Sequence, residues 1–117
     1  MKLRDSGKTF ADLMPVGMIP YYAGPKVYVY DRGALGDSLT ARLPMMPHNW
    51  RVGHYWREPP AGYEETLQSG TNQIQNKKLA EYYDHLRLVI RGDLWNPARI
   101  PEIVKLNLGV YDYLLKP

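Results

Sequence analysis

The distribution of proline limits the fold of this chain more than any other feature of its sequence. Seven of the ten prolines fall between residues 15 and 60. Each proline fixes φ, removes a backbone donor and pushes the preceding residue towards extended conformations. Long helices are therefore excluded from this half of the chain, and we predict strands there, joined by stiff, extended connectors.

Two strands are predicted in this Pro-rich half. The first runs from Lys26 to Tyr30, where Val and Tyr alternate between two faces. The second runs from Asn49 to Arg57 and alternates a Trp-rich face, expected to point inward, with an Arg- and Tyr-bearing face left for a partner or for water. Between them, the Asp-Arg-Gly and Gly-Asp sequences of residues 31–37 predict turns.

The second half of the chain carries a helical pattern. Apolar residues recur at helical spacing up to Ile90, which predicts a helix of about twenty residues over 72–91. Thr71 is its expected N-cap, and Gly92 is expected to end it in the left-handed conformation.

Shorter elements are predicted towards both ends of the chain. A short helix is expected over 7–14, ended by a proline and a glycine. A second is expected over about 101–108, closed by Gly109. Residues 110–115 alternate enough to form an edge strand or an extended docking arm.

The fold class predicted from these elements is α+β. We expect a small antiparallel sheet from the first half, covered by one long helix at about 72–91, with short flanking helices and Pro-rich extended arms. The 117 residues fit a single small domain, 1–117. It would comprise a Pro-rich strand region over 15–60 and a helical region over 70–117.

The amino-acid composition says more about the partners of the chain than about any catalytic chemistry. Ten Tyr and three Trp stand against one Phe, which favours surfaces that are dry on one side and hydrogen-bonded on the other, although a core that uses Tyr is equally compatible. The net charge of +3 permits contact with RNA without requiring it, because nucleic-acid surfaces normally carry denser cations. No apolar run approaches the ~20 residues of a transmembrane span.

No motif in the sequence indicates catalysis, a cofactor or a metal site. The absence of cysteine excludes disulfides, thiol catalysis and Cys-ligated metal sites. Gly7-Lys8-Thr9 lacks the glycine and the preceding strand of a phosphate-binding loop. The three histidines are too dispersed for a metal site, and His85 is expected to face Glu81 or Asp84 on the long helix. We therefore expect no enzyme and no small-molecule substrate.

The candidate binding surface is a mixture of aromatic and basic residues on the two predicted strands. Arg and Tyr side by side can stack on bases and neutralise phosphates, and they also dominate protein interfaces. An ordinary solvated sheet face is the alternative interpretation. The predicted RNA- or partner-binding residues are Lys26, Tyr28, Tyr30, Arg32, Arg51, Tyr55 and Arg57.

Several short motifs follow one another over the first half of the chain. They are Gly7-Lys8-Thr9-Phe10, Leu13, Gly24, the basic Val-rich strand 26–30, and Tyr55-Trp56-Arg57. Over its first half the chain thus resembles the mitochondrion-specific small-subunit ribosomal protein that is number thirty-four of its series. The resemblance implies a non-catalytic structural protein of the mitochondrion that contacts ribosomal RNA and neighbouring proteins.

Other classes of function remain open on the sequence alone. An accessory subunit of a respiratory-chain or ATP-synthase complex would share the Pro-rich arms and the Tyr and Trp content without needing RNA. A viral or phage structural protein fits the composition equally well. A small enzyme would need a deep pocket that unites His54 or His85 with a carboxylate of raised pKa.

Overall fold

The computed structural model describes residues 10–13, 25–31, 33, 36–47 and 56–117. The chain divides into two compact units, Met1–Pro59 and Pro60–Pro117. Most of the regular structure in the described ranges is helical, and all three α-helices found there belong to the second unit.

Two short strands form the sheet of the N-terminal unit. Strand β1 is Phe10–Leu13 and strand β2 is Tyr28–Asp31. They pair in parallel, with Phe10 opposite Tyr28 and Leu13 opposite Asp31. Parallel strands cannot be joined by a tight hairpin turn, unlike antiparallel ones.

The predicted α+β fold with a small antiparallel sheet is therefore wrong. The described strands are short and parallel, and the described part of the chain is mainly helical. The helix predicted over 7–14 is also wrong where it can be compared, because Phe10–Leu13 is a strand. Pairing with β2 satisfies this backbone in place of a helix.

The predicted second strand, Asn49–Arg57, falls largely outside the described residues. Residues 49–55 lie outside the described residues. Trp56 and Arg57 are described and do not form a strand. The carbonyl of Trp56 accepts a hydrogen bond from the backbone N–H of Met46 at 3.0 Å.

Residues 32, 34 and 35 of the turn predicted over 31–37 lie outside the described residues, and two buried carboxylates bind the described backbone on either side of them. The Asp31 carboxylate accepts hydrogen bonds from the backbone N–H groups of Gly33 at 2.9 Å and Gly36 at 2.8 Å. Oδ2 of Asp37 accepts bonds from both the backbone N–H and the hydroxyl of Thr40, each at 2.8 Å. These bonds offset the cost of burying the two carboxylates.

The C-terminal unit begins with helix α1, Tyr63–Ser69, which the sequence analysis did not predict. Gly62 and Gly70 flank it, both in the left-handed conformation. A Cβ on Gly62 would lie 2.0 Å from the carbonyl oxygen of Gln73. Gly62 is therefore required both by its φ and by the close approach of the chain.

Helix α2 spans Lys77–Arg91, so the predicted end is right and the predicted start is wrong. Its N-cap is Asn76, whose side chain accepts from the N–H groups of Lys78 and Leu79. Residues 73–75 instead bond to the chain around α1: the N–H of Gln73 donates to the Thr66 hydroxyl at 2.8 Å. Gly92 ends α2 with φ −66° and not in the predicted left-handed conformation.

Helix α3 spans Arg99–Asn107, close to the predicted 101–108. Gly109 follows in the left-handed conformation, φ 72°, as expected of a closing glycine. The predicted edge strand or extended arm over 110–115 is wrong, because Asp112–Leu115 forms a 3₁₀ turn. Burial of Leu114 anchors this turn.

The core of the C-terminal unit uses tyrosine as a packing residue. The rings of Tyr63 and Tyr83 meet edge to face, with centroids 5.6 Å apart and planes at 81°. Such pairs contribute about 0.5–1.5 kcal/mol beyond the area that they bury. The buried apolar residues of this unit are Tyr63, Leu67, Ile74, Tyr82, Tyr83, Leu86 and Leu114.

Candidate docking surface

The structure describes four of the seven predicted partner-binding residues. Lys26 is exposed, Tyr28 and Arg57 are half-buried, and Tyr30 is buried, with 1% of its surface exposed. The Tyr28 hydroxyl donates to Oδ1 of Asp37 at 2.9 Å. Of the described four, Lys26 alone is well exposed. The remaining three predicted residues, Arg32, Arg51 and Tyr55, lie outside the described residues.

Arg57 is bound within its own unit. Its Nε donates to the carbonyl oxygen of Leu43 at 2.8 Å, which fixes the guanidinium beside the turn that ends at that residue. The role assigned to the seven residues stays a prediction.

Helix α3 presents a surface that the sequence analysis did not identify. Its half-buried inner face carries Arg99, Glu102 and Leu106, spaced three and four residues apart. The opposite face carries a row at i, i+4 and i+8, which we call the outer ridge: Ile100, Val104 and Leu108, the last being the residue that caps the helix. A surface helix normally turns its apolar stripe inward. Here, two charged residues face inward beside Leu106, and the apolar row faces out.

Glu102 is the centre of the inner face. Its Oε2 lies 3.0 Å from Nδ1 of His85 on α2, and its Oε1 accepts a hydrogen bond from the Tyr111 hydroxyl at 3.0 Å. The rings of His85 and Tyr111 stack, with centroids 3.9 Å apart. The side chain of Glu102 is only 14% exposed, so this polar cluster ties α3 and the C-terminal turn to α2. Glu81 and Asp84 were the predicted partners of His85, but its partner in the structure is Glu102.

The cluster perturbs the titration of Tyr111. Its partial desolvation raises the pKa of the phenol above the ordinary value of 10.0, and the hydrogen bond to Glu102 and the carboxylate charge raise it further. Lys105, whose Nζ lies 3.8 Å from Oε1 of Glu102, lowers the same pKa. The neutral phenol is thus the form that the cluster stabilises.

Arg99 makes the second attachment of α3. Its Nη2 donates to the carbonyl oxygen of Val89 at 2.6 Å, and its Nη1 donates to that of Leu94 at 3.0 Å. Val89 belongs to the last turn of α2, where carbonyl groups lack helical partners and a cation is favoured by the helix dipole. Hydrogen bonds made by Arg99 and Glu102 therefore hold α3 in place, a role that buried apolar side chains usually have.

The outer ridge is strongly exposed. Ile100 is 68% exposed, Val104 51% and Leu108 76%, and none of the nine residues of α3 is buried. Trp95, in the turn before the helix, is 87% exposed. Other exposed apolar residues of the same segment are Ile90, Leu94, Ile103, Val110 and Tyr113.

The exposed area on this segment is large for a protein of this size. Taking about 100 Å² per aliphatic side chain and about 200 Å² per large ring, residues 90–113 leave about 700 Å² of apolar side-chain surface in water. This area is a sum over the end of α2, the turn after it, α3 and the residues that follow, and the outer ridge is the part of it that forms one row. Large exposed apolar patches mark interaction sites. The residues of segment 90–113 are the candidate docking surface.

A shallow depression of about 500 Å³ lies near the end of α2. Its lining consists of Asp84, Arg87, Leu88, Arg91 and Gly92. The pair formed by His85 and Glu102 is not part of it, so this depression does not provide the pocket that the enzyme hypothesis requires.

Other features of the described ranges bear on site chemistry and on membranes. Among the described residues, no group of three or more acidic or His side chains is arranged to hold a metal ion. Within the same residues, no helix combines the length and the apolar character needed to cross a bilayer.

Comparison with protein-family models, curated proteins and solved structures finds no match to this chain.

The signal for the docking surface is present in the sequence. Ile100, Val104 and Leu108 recur every four residues, as in any amphipathic helix. Which face points outward depends on the partners of Arg99 and Glu102, and these lie on other elements. Spacing alone would therefore have assigned the apolar row to the core.

Proposed function

We propose that this chain is a non-catalytic structural subunit of a larger assembly, which it joins through the outer ridge of α3 and the exposed apolar residues around it. The observation that carries the proposal is the orientation of α3, with Glu102 and Arg99 bonded inward and Ile100, Val104 and Leu108 in water. A neighbour that covers the ridge would remove this apolar surface from water.

Burial arithmetic supports docking to protein. A standard interface buries about 800 Å² per partner, of which about 57% is apolar. The roughly 700 Å² of exposed apolar side chain on residues 90–113 is the upper limit of what a partner could cover, and it exceeds that apolar share. An exposed Trp such as Trp95 is typical of residues that contribute most of the binding energy at interfaces.

The specific assembly that we propose is the small subunit of the mitochondrial ribosome. Its support is the resemblance carried by Gly7-Lys8-Thr9-Phe10, strand 26–30 and Tyr55-Trp56-Arg57. In this proposal Lys26, Arg32, Arg51 and Tyr55 contact ribosomal RNA, and the outer ridge contacts a protein.

The second candidate is an accessory subunit of a respiratory-chain or ATP-synthase complex. The observation that favours it is the apolar character of the outer ridge, since RNA contact depends on cations and stacking rings and not on aliphatic side chains. Both candidates place the protein in the mitochondrion, but only the first requires RNA.

The test is purification of the native protein, expressed at its natural level, followed by gradient sedimentation. We expect it in a large particle, and nuclease treatment should disperse that particle if the ribosomal assignment is right. The Val104→Glu variant should leave the particle, because a carboxylate on the ridge would have to be desolvated. The matched control is Gln68→Glu, which adds the same charge at an exposed position of α1. Sedimentation of the wild-type protein as a free single chain would refute the proposal.

A further inference from the structure

We propose that the occupant of the outer ridge is a second copy of this chain, packed about a two-fold axis that passes near Val104. This inference rests on the proposed function, because it names the neighbour that the docking surface meets first. It follows from the shape of the ridge, its area and the charges around it.

The shape of the ridge is suited to its own copy. Ile100, Val104 and Leu108 lie on an i, i+4, i+8 row, and such rows pack into the grooves beside the same row of another helix. This is the commonest arrangement of two helices in globular proteins, with axes crossing at about −50°. In a two-fold pair the middle residue, Val104, meets its own counterpart.

The exposed apolar area sets an upper limit on what a pair could bury. In a two-fold dimer each copy contributes the same surface, so the apolar area of residues 90–113 counts once on each side. That limit, about 700 Å² per copy, is close to the about 800 Å² per partner that standard interfaces bury.

The charges of the segment are balanced. Arg91, Asp93, Lys105 and Asp112 are exposed and alternate in sign along the chain. A strongly acidic or strongly basic partner would meet repulsion at half of these positions. A second copy related by a two-fold axis supplies both signs in equal number, so a self-complementary arrangement is available.

The first experiment is sedimentation velocity of the purified full chain over a range of concentrations. We expect a reversible dimer, with an average mass that rises from 13.5 kDa towards twice that value. Val104→Glu should weaken dimerisation at least tenfold, and Gln68→Glu should leave it unchanged. A chain that stays monomeric at submillimolar concentration, or a dimer that is indifferent to Val104→Glu, would overturn the proposal.

The second experiment does not depend on how the Glu variant folds. The chain has no cysteine, so Val104→Cys and Gln68→Cys each provide a single thiol for a short bis-maleimide cross-linker. Linked dimers should form at least tenfold faster from Val104→Cys, since only this residue lies near the proposed axis. Equal rates would refute the two-fold packing.

Other occupants give distinguishable results. A purified chain that is monomeric, while position 104 cross-links to a different protein in the native particle, overturns the second copy and leaves the structural-subunit proposal standing. Flotation of the purified chain with phosphatidylcholine–phosphatidylserine vesicles, lost in Val104→Glu, also overturns it. A dimer whose native form sediments as an isolated pair supports the inference and contradicts the larger assembly.

Discussion

Substitution of the glycine before α1 tests the packing of the C-terminal unit. Gly62 has φ +88°, and a Cβ built on it would lie 2.0 Å from the carbonyl oxygen of Gln73 and 2.7 Å from the carbonyl carbon. Gly62→Ala therefore carries two costs. The left-handed backbone costs about 1–2 kcal/mol for a residue with a Cβ. Displacing the backbone at Gln73 adds about 1–3 kcal/mol, the usual cost of overpacking.

The glycine at the other end of α1 separates these two costs. Gly70 has φ +79°, yet a Cβ on it would meet nothing within 4 Å. Gly70→Ala should therefore lose only the backbone contribution of about 1–2 kcal/mol. The Gly62→Ala variant should lose about 2–5 kcal/mol in total.

The assay is urea unfolding of both variants and the wild-type chain, followed by the far-ultraviolet circular dichroism of the helices. The expected result is an unchanged slope with a larger fall in the midpoint for Gly62→Ala than for Gly70→Ala. Equal losses in the two variants would refute the reasoning, because they would show that residues 62 and 73 do not approach as closely as the structure has them.

Three further predictions concern α2 and the polar cluster. Asn76→Ala should reduce the free energy of unfolding by about 1 kcal/mol in the same assay, since it removes the N-cap acceptor of two backbone donors. Leu86→Ala should cost about 2–5 kcal/mol, because the side chain is almost completely buried. The pKa of Tyr111 is raised in the folded state, so its contribution to stability is complete below pH 10.0 and is lost as the pH rises through the folded value. Carbon-13 NMR of labelled tyrosine should show a phenol that titrates above pH 10.0 and whose signal disappears in Tyr111→Phe; a Tyr111 signal without this upward shift would contradict the cluster.

Local patterns were sufficient for part of the fold. The alternation of Val and Tyr located β2 to within two residues, and the helical spacing before Gly92 located the end of α2. These elements have periodic side chains over their length, which local reasoning detects. The start of α2 was missed because residues 73–75 bond to the chain around α1, a non-local interaction that competes with helix formation.

Helix α1 and the pairing of the strands could not be predicted from local sequence patterns. Only Tyr63 and Leu67 give α1 an apolar face, and two residues four apart do not establish a period. The parallel pairing of β1 with β2 could not be predicted, since strand sequences of four residues do not specify direction.

The orientation of α3 was the main feature of the candidate site that sequence reasoning missed. Amphipathic spacing identifies two faces, and the general rule places the apolar one in the core. In this chain the charged face is held by His85, Tyr111 and the carbonyl groups of Val89 and Leu94, so the rule is reversed. The predicted aromatic and basic surface of the first half lies partly outside the described residues and remains a prediction.

The most direct test of the docking surface is photo-cross-linking in the native environment. A benzoylphenylalanine side chain in place of Val104 should yield a protein adduct of defined mass, because the proposal places a protein neighbour against the outer ridge. The same side chain in place of Gln68 should yield little or none. Absence of a specific adduct at position 104, or equal adducts at both positions, would contradict the claim that the ridge is a protein-binding surface.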